Sequence, residues 1–276
     1  MLNTTSNALI AFIGGGNMAS AIIGGLIREG TSAGQITVVE PFAETASRLR
    51  QELGVRVLSQ ADSSVSHAQL VVWAVKPQVF KEAADSVAPL TRQALHLSVA
   101  AGIRTDSICH WLGTSQVVRC MPNTPALVGK GMTAMFACEG VSPQQKVWVE
   151  QVIATTGQLL WVDQEQHLDA VTALSGSGPA YVFFFLEAMT EAGMEMGLTQ
   201  QQAYQLAVAT FAGAASLAAA TTESPQVLRQ RVTSKGGTTY AAMTSMENAG
   251  VKEAFIAAMR AAEQRARELG DEFGNA

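Results

Sequence analysis

Three glycine-marked segments carry the residues with chemistry to offer. The first, Ile10-Ala11-Phe12-Ile13-Gly14-Gly15-Gly16-Asn17-Met18-Ala19, places G-x-G-x-x-A between a β-branched run and a helical one. In that setting Gly14 makes a tight turn, Gly16 lets backbone approach a pyrophosphate, and Ala19 lets the helix pack closely on the strand. The helix N-terminus then presents unpaired N–H groups and a positive dipole end to phosphates. An ordinary glycine turn is the alternative, but the strand-turn-helix context favours a dinucleotide. Glu40 closes the next β-branched run, where a carboxylate accepts hydrogen bonds from ribose hydroxyls and repels a 2′-phosphate, a lean toward NADH. If Glu40 instead faces solvent beside Pro41, Arg48 or Arg50 could reach a phosphate.

The other two segments are Ser175-Gly176-Ser177-Gly178-Pro179-Ala180-Tyr181 and Val232-Thr233-Ser234-Lys235-Gly236-Gly237-Thr238-Thr239. Each places small residues and free N–H groups at an expected helix start, which can hold a carboxylate without a dedicated arginine. Lys235 adds positive charge. Ordinary capping by Ser and Thr is the alternative. Between them in character are Ala74-Val75-Lys76-Pro77, Val99-Ala100-Ala101-Gly102 and Met121-Pro122-Asn123-Thr124-Pro125, at the expected ends of strands four, five and six. Carboxyl ends of parallel strands are where such sheets take ligands. Lys76 could touch cofactor or substrate, or cap a strand end; Asn123 and Thr124 form a polar turn of either functional or structural use.

Other chemistries find little support. The net charge is −5, and the 18 Lys and Arg are scattered, so no basic stripe exists for nucleic acid. Cys109, Cys120 and Cys138 form an odd set without a C-x-x-C pair, read as reduced, buried thiols of a cytoplasmic protein. His67, His96, His110 and His167 lie far apart, and no metal site is expected. Glu187, Glu191 and Glu195 share a helical face without a histidine and read as a solvated stripe, as do Arg260, Glu263, Arg265, Arg267 and Glu268.

The elements that must position these residues fall into two halves. Strands are expected at Ala8–Ile13, Gln35–Glu40, Val55–Leu58, Leu70–Val75, Leu95–Val99 and Val117–Met121, with helices at Asn17–Glu29, Ala43–Leu53 and Val79–Val87 among them. Beyond Trp161 and Val162 the strand signal stops, and from about Gln164 the chain is helical in composition. The expected fold is α/β: a Rossmann-type doubly wound parallel sheet over residues 1–163, then an all-α half over residues 164–276 for substrate and dimerisation.

Two uncharged stretches bear on membranes. The one running from Met1 to Ile27 is broken by Gly14-Gly15-Gly16-Asn17 and lacks the basic residues that precede a signal sequence. The other, Met196 to Thr222, is too rich in Gln and Thr for a bilayer yet too poor in charge to stand open to water. No membrane is expected, and burial in a subunit interface is the natural home for such a helix.

Together, F-I-G-G-G-N-M-A, A-V-K-P, V-A-A-G, R-C-M-P-N-T-P-A, A-V-T-A-L-S-G-S-G-P-A-Y and V-T-S-K-G-G-T-T, in order from Phe12 to Thr239, resemble the pyrroline-5-carboxylate reductase family. The resemblance implies an NAD(P)H-dependent oxidoreductase of proline biosynthesis, reducing the imine of Δ1-pyrroline-5-carboxylate to L-proline with NADPH or NADH. It implies a homodimer, often gathered into a ring of dimers. Ile13, Gly14, Gly15, Gly16, Asn17, Met18, Ala74, Val75, Lys76, Pro77, Val99, Ala100 and Ala101 would hold the cofactor. Ser234, Gly237, Thr238 and Thr239 would hold the substrate carboxylate and ring nitrogen, with Ser234 and Thr239 at the reacting ring and Thr239 the partner of the imine. Glu165 is expected near the site. Where relatives often carry a small polar residue, asparagine and proline, this chain has Glu40, Arg231 and Lys235, bearing on cofactor choice and substrate entry. A β-hydroxyacid-type dehydrogenase, a related imine reductase and a non-catalytic dinucleotide sensor are the alternatives.

Overall fold

The computed structural model describes residues 8–274; residues 1–7, where the uncharged opening stretch begins, lie outside them. The order is β1 (Ile10–Ile13), α1 (Asn17–Arg28), β2 (Ile36–Val39), α2 (Ala43–Leu53), β3 (Arg56–Leu58), β4 (Leu70–Trp73), α3 (Phe80–Thr91) and β5 (Leu95–Ser98). Next come α4 (Thr105–Leu112), β6 (Val117–Met121), β7 (Gly131–Ala137), α5 (Pro143–Ala154), β8 (Gly157–Trp161), α6 (His167–Val171) and a π-turn (Thr172–Gly176). The chain continues through α7 (Gly178–Glu195), α8 (Gln200–Ala219), α9 (Pro225–Arg231), α10 (Thr238–Asn248) and α11 (Val251–Gly274). Two compact units result: Met1–Ser177 with Ala262–Ala276, and Gly178–Ala261.

The first unit is built on a sheet in the order β3-β2-β1-β4-β5-β6-β7-β8. Its strands are short apolar runs because both faces are covered, and alternate side chains serve opposite faces. Ile10, Phe12, Val38, Leu70, Val72 and Leu97 pack with Ile22 and Ile23 of α1, Leu49 of α2 and Val152 of α5. Ala11, Ile13, Val71 and Trp73 pack on the other face with Phe80, Ala84 and Val87 of α3 and Ile108 of α4. This is the expected doubly wound sheet, with one correction: β7 runs antiparallel to β6, and β8 is parallel to β7, so the sheet is mostly parallel. The polar turn after β6 sends the chain straight back as a neighbour, so no crossover helix intervenes and the direction reverses.

A second difference lies in α3, which runs on to Thr91 past Pro89 instead of ending near Val87. Its buried face continues through Ala88 and Thr91, and the Thr91 hydroxyl donates to the Val87 carbonyl at 3.0 Å. Packing of that face offsets the bond lost for want of a Pro89 donor.

In the second unit, α7 and α8 pack together where Gly193 meets Ala203, and Thr199 starts α8 with a capping box closed by Gln202. Tyr181 and Phe185 gather edge-on around Phe255, with ring centroids 5.5 and 5.8 Å away. The remaining faces are bare within the single chain: Phe183, Phe184, Tyr204, Leu206 and Leu217 are all exposed.

Candidate active site

The carboxyl ends of β1, β2, β4 and β5 lie side by side, and backbone hydrogen bonds knit the loops that leave them. Gly14 N donates to Val39 O at 2.9 Å, Ala74 N to Ile13 O at 2.8 Å and Val99 N to Trp73 O at 3.0 Å. The order reverses between β1 and β4, so their two loops diverge and leave the crevice where such sheets bind ligands. Ile13 to Met18, Glu40, Ala74 to Pro77 and Val99 to Ala101 are thereby gathered along one edge.

Two glycines set the shape of that edge. Gly14 has φ +93°, and a Cβ there would stand 2.7 Å from the Ala74 carbonyl oxygen; only glycine allows the turn and the close passage of the β4 loop. Gly16 has ordinary extended angles, φ −68° and ψ −169°, and nothing lies within 4 Å of a Cβ built on it. The constraint on Gly16 is therefore the space in front of it. It is also the N-cap of α1, with no side chain capping the helix, so the first amides of α1 point into that space. An open cradle at an uncapped helix N-terminus fits a dinucleotide's pyrophosphate.

Glu40 does not face solvent. It is 6% exposed, its Oε2 accepts from Gly15 N at 2.8 Å, and its Oε1 accepts from Phe42 N at 2.9 Å. The carboxylate thus braces the glycine turn, with lone pairs left over for a ribose hydroxyl. Arg50 donates to the Val57 carbonyl at 2.8 Å, while Arg48 and Lys76 are exposed.

Glu165 lies in the first unit in a network that sequence reading missed. Its Oε1 accepts from Arg119 at 2.7 Å and from Thr105 N at 2.8 Å, and its Oε2 accepts from the Thr105 hydroxyl at 2.6 Å. Arg119 is nearly buried. The available signal was an arginine inside the apolar run of β6, since a charge there needs a carboxylate. Arg104, Asp106, Gln166 and Asp169 complete the lining of a cavity of about 270 Å³ beside this pair. Burial pushes the Asp169 carboxyl up, against the pull of Arg119 and Arg104.

Two expectations are corrected here. Ser175 to Tyr181 does begin a long helix, α7 from Gly178, but the π-turn leads straight into it, Ser177 keeps helical angles, and Ser177 N is spent on the Thr172 carbonyl at 2.8 Å where a free amide was expected. Asn123 resolves to the structural reading, donating to Ser175 O and Oγ at 3.2 Å and accepting from Met132 N at 2.9 Å. The cysteines are not uniformly buried; Cys120 is, while Cys109 and Cys138 are half-buried.

In the second unit, Ser234 to Thr239 does begin a helix. Gly237 is the N-cap of α10 with no side-chain cap, Gly236 takes φ +76°, and Gly237 N donates to Ser234 O at 3.0 Å. Ser234, Thr238 and Thr239 are exposed around the first amides of α10. Arg231, at the end of α9, pairs with Glu223 at 2.6 Å.

Among the described residues no group of three or more His, Cys, Asp or Glu is placed to hold a metal ion. Among them, too, no helix is long and apolar enough to cross a membrane.

Comparison with known proteins identifies the family. The sequence model described as pyrroline-5-carboxylate reductase dimerisation matches residues 165–269, and the one described as NADP oxidoreductase coenzyme F420-dependent matches residues 9–102. A pyrroline-5-carboxylate reductase of Pseudomonas aeruginosa is 43% identical over 271 residues, 98% of this chain and 99% of that one. The solved structure of a pyrroline-5-carboxylate reductase from Coxiella burnetii superposes with TM-score 0.88 at 39% identity, covering 96% of this chain and 99% of that one. The Plasmodium falciparum pyrroline carboxylate reductase, solved with NADP bound, superposes with TM-score 0.86 at 25% identity, covering 96% and 99%.

Proposed function

The chain belongs to the pyrroline-5-carboxylate reductase family, and on that premise we propose how its residues divide the work. It is an NAD(P)H-dependent oxidoreductase that reduces Δ1-pyrroline-5-carboxylate to L-proline in proline biosynthesis. The observation that carries the reading is 43% identity along nearly the whole of both chains.

In this proposal the first amides of α1 and the loop Ile13 to Met18 hold the cofactor's phosphates, with Ala74 to Pro77 and Val99 to Ala101 as the walls of the cleft. Glu40 takes the ribose hydroxyls. The chemistry NAD(P)H supplies, when bound, is a hydride for the imine carbon C5. The amides that open α10, with the Ser234 hydroxyl and Lys235, donate to the substrate carboxylate. Thr239 Oγ1 accepts from the ring nitrogen in its protonated form, which is the electrophilic form of a cyclic imine. Fixing the ring at both points supplies proximity and orientation, and these account for much of the barrier reduction. No strong general acid is needed, because the proton is already on the nitrogen when the carbon is reduced.

The reading extends to a homodimer joined through the helical half, and to a ring of such dimers. Support comes from the matched dimerisation region, residues 165–269, and from the exposed aromatic and aliphatic side chains of α7 and α8. A cytoplasmic location is part of the same reading. Reduction with cofactor deuterated at the nicotinamide C4 tests the assignment: L-proline carrying one deuterium at C5 is expected, and unlabelled proline or none would reject it.

A further inference from the structure

We propose that Cys109 and Cys138 form an oxidative modification site, a dithiol that a hydroperoxide converts to an intrachain disulfide and a thiol reductant restores. Cys109 sits in α4 and Cys138 follows the last residue of β7. They are 29 residues apart in sequence, yet their Sγ atoms are 3.7 Å apart. A disulfide is about 2 Å long, so closing it takes the two sulfurs under about 2 Å nearer each other.

Burial separates this pair from the third cysteine. Cys109 and Cys138 are half-buried, while Cys120 is 1% exposed in the core. The pair is also asymmetric. The bond between the two thiols holds the Cys138 thiol below the usual range, whereas Cys109 is raised by that same bond and by burial. Cys138 is therefore the attacking thiolate.

The chemistry balances with one peroxide. The Cys138 thiolate attacks a peroxide oxygen, the O–O bond breaks, and hydroxide leaves to become water as Cys138 becomes a sulfenic acid. Cys109 gives up its proton and attacks that sulfur; the S–S bond forms, the S–O bond breaks, and a second water leaves. The dithiol loses two electrons and two protons, and the peroxide is reduced to two waters. The site adjoins the Glu165 network, because Thr105, whose hydroxyl donates to Glu165 at 2.6 Å, is also a hydrogen-bond neighbour of Cys138.

The test uses the intact protein treated with stoichiometric hydrogen peroxide. Titratable thiols under denaturing conditions should fall from three per chain to one, and non-reducing peptide mapping should find one peptide joining Cys109 to Cys138, lost on adding dithiothreitol. In Cys109→Ser the link should vanish, and dimedone should trap a sulfenic acid on Cys138. Three thiols still titratable, a link only between separate chains, or sulfinic acid formed at both positions without a link would each overturn the proposal.

Discussion

Gly14 and Gly16 stand two residues apart and answer to different constraints, so substituting each has a different consequence. Gly14→Ala must accept a positive φ and push against a backbone carbonyl 2.7 Å away, so the whole fold weakens, by about 1–3 kcal/mol from the backbone angle alone. Gly16→Ala places a Cβ with nothing in the protein within 4 Å; its melting temperature should stay within a few degrees of the parent, while the KM for cofactor rises about tenfold or more as the side chain enters the cradle. Thermal melts and steady-state kinetics on both variants check the pair. Glu40 braces the turn by accepting from Gly15 N and Phe42 N, and in the proposed function it also takes the ribose hydroxyls. Glu40→Ser should raise the NADPH-to-NADH ratio of kcat/KM and also cost about 1–3 kcal/mol, because the buried Gly15 amide and the part-buried Phe42 amide lose their acceptor. An unchanged ratio would confine Glu40 to bracing the turn. At the other segment, Thr239→Ala should lower kcat about tenfold or more with the Kd for cofactor unchanged; unaltered turnover at saturating substrate would remove Thr239 from the mechanism.

Strands β4 and β5 are joined by more than their ladder. The Trp73 indole N–H donates to His96 Nδ1 at 3.0 Å, and His96 Nε2 faces the Thr91 carbonyl at 3.2 Å, so the ring sits neutral with its proton on Nε2. Burial lowers the His96 pKa from 6.5 to about 4. Between those values the unfolded chain binds the proton that the folded chain refuses. Stability should therefore be full above pH 6.5 and fall as pH drops toward 4, by about 3 kcal/mol from this group. Denaturant melts across that range check the slope, and His96→Gln should flatten it. At this scale the sequence was informative about what lies close together and silent about what meets from afar. The strands from β1 to β6 and helix α2 were readable within about two residues, because each is a short apolar run between turn residues. The reversal at β7 was not, since strand direction leaves no mark in a run such as Gly131–Ala137. The strand-turn-helix at Gly14 to Gly16 was legible because its glycines are contiguous with the strand they follow. The Arg119–Glu165 pair and the Cys109–Cys138 pair were not, since each joins residues 46 and 29 positions apart. Ser175 to Tyr181 was legible as the start of a long helix, but not the π-turn that precedes α7, keeps the backbone helical and occupies Ser177 N.

The whole molecule leaves an account unfinished within one chain, since α7 and α8 expose Phe183, Phe184, Tyr204, Leu206 and Leu217. So much exposed apolar surface calls for a cover, and a second copy packed through its own α7 and α8 would supply one. Sedimentation should report a mass at least twice the chain's 29.1 kDa. Phe184→Glu should weaken that assembly about tenfold or more, since one buried phenylalanine contributes about 2 kcal/mol per copy; a well-folded monomer of the parent chain would contradict the dimer. Because the cofactor cradle and the Ser234–Thr239 loop belong to different compact units, the account stands on their acting in a single reaction. That is read most directly by incubating the purified, folded protein with Δ1-pyrroline-5-carboxylate and NADPH or NADH, following near-ultraviolet absorbance and assaying L-proline. The account predicts a fall in absorbance matched mole for mole by L-proline; a flat trace with both cofactors and no proline would contradict it.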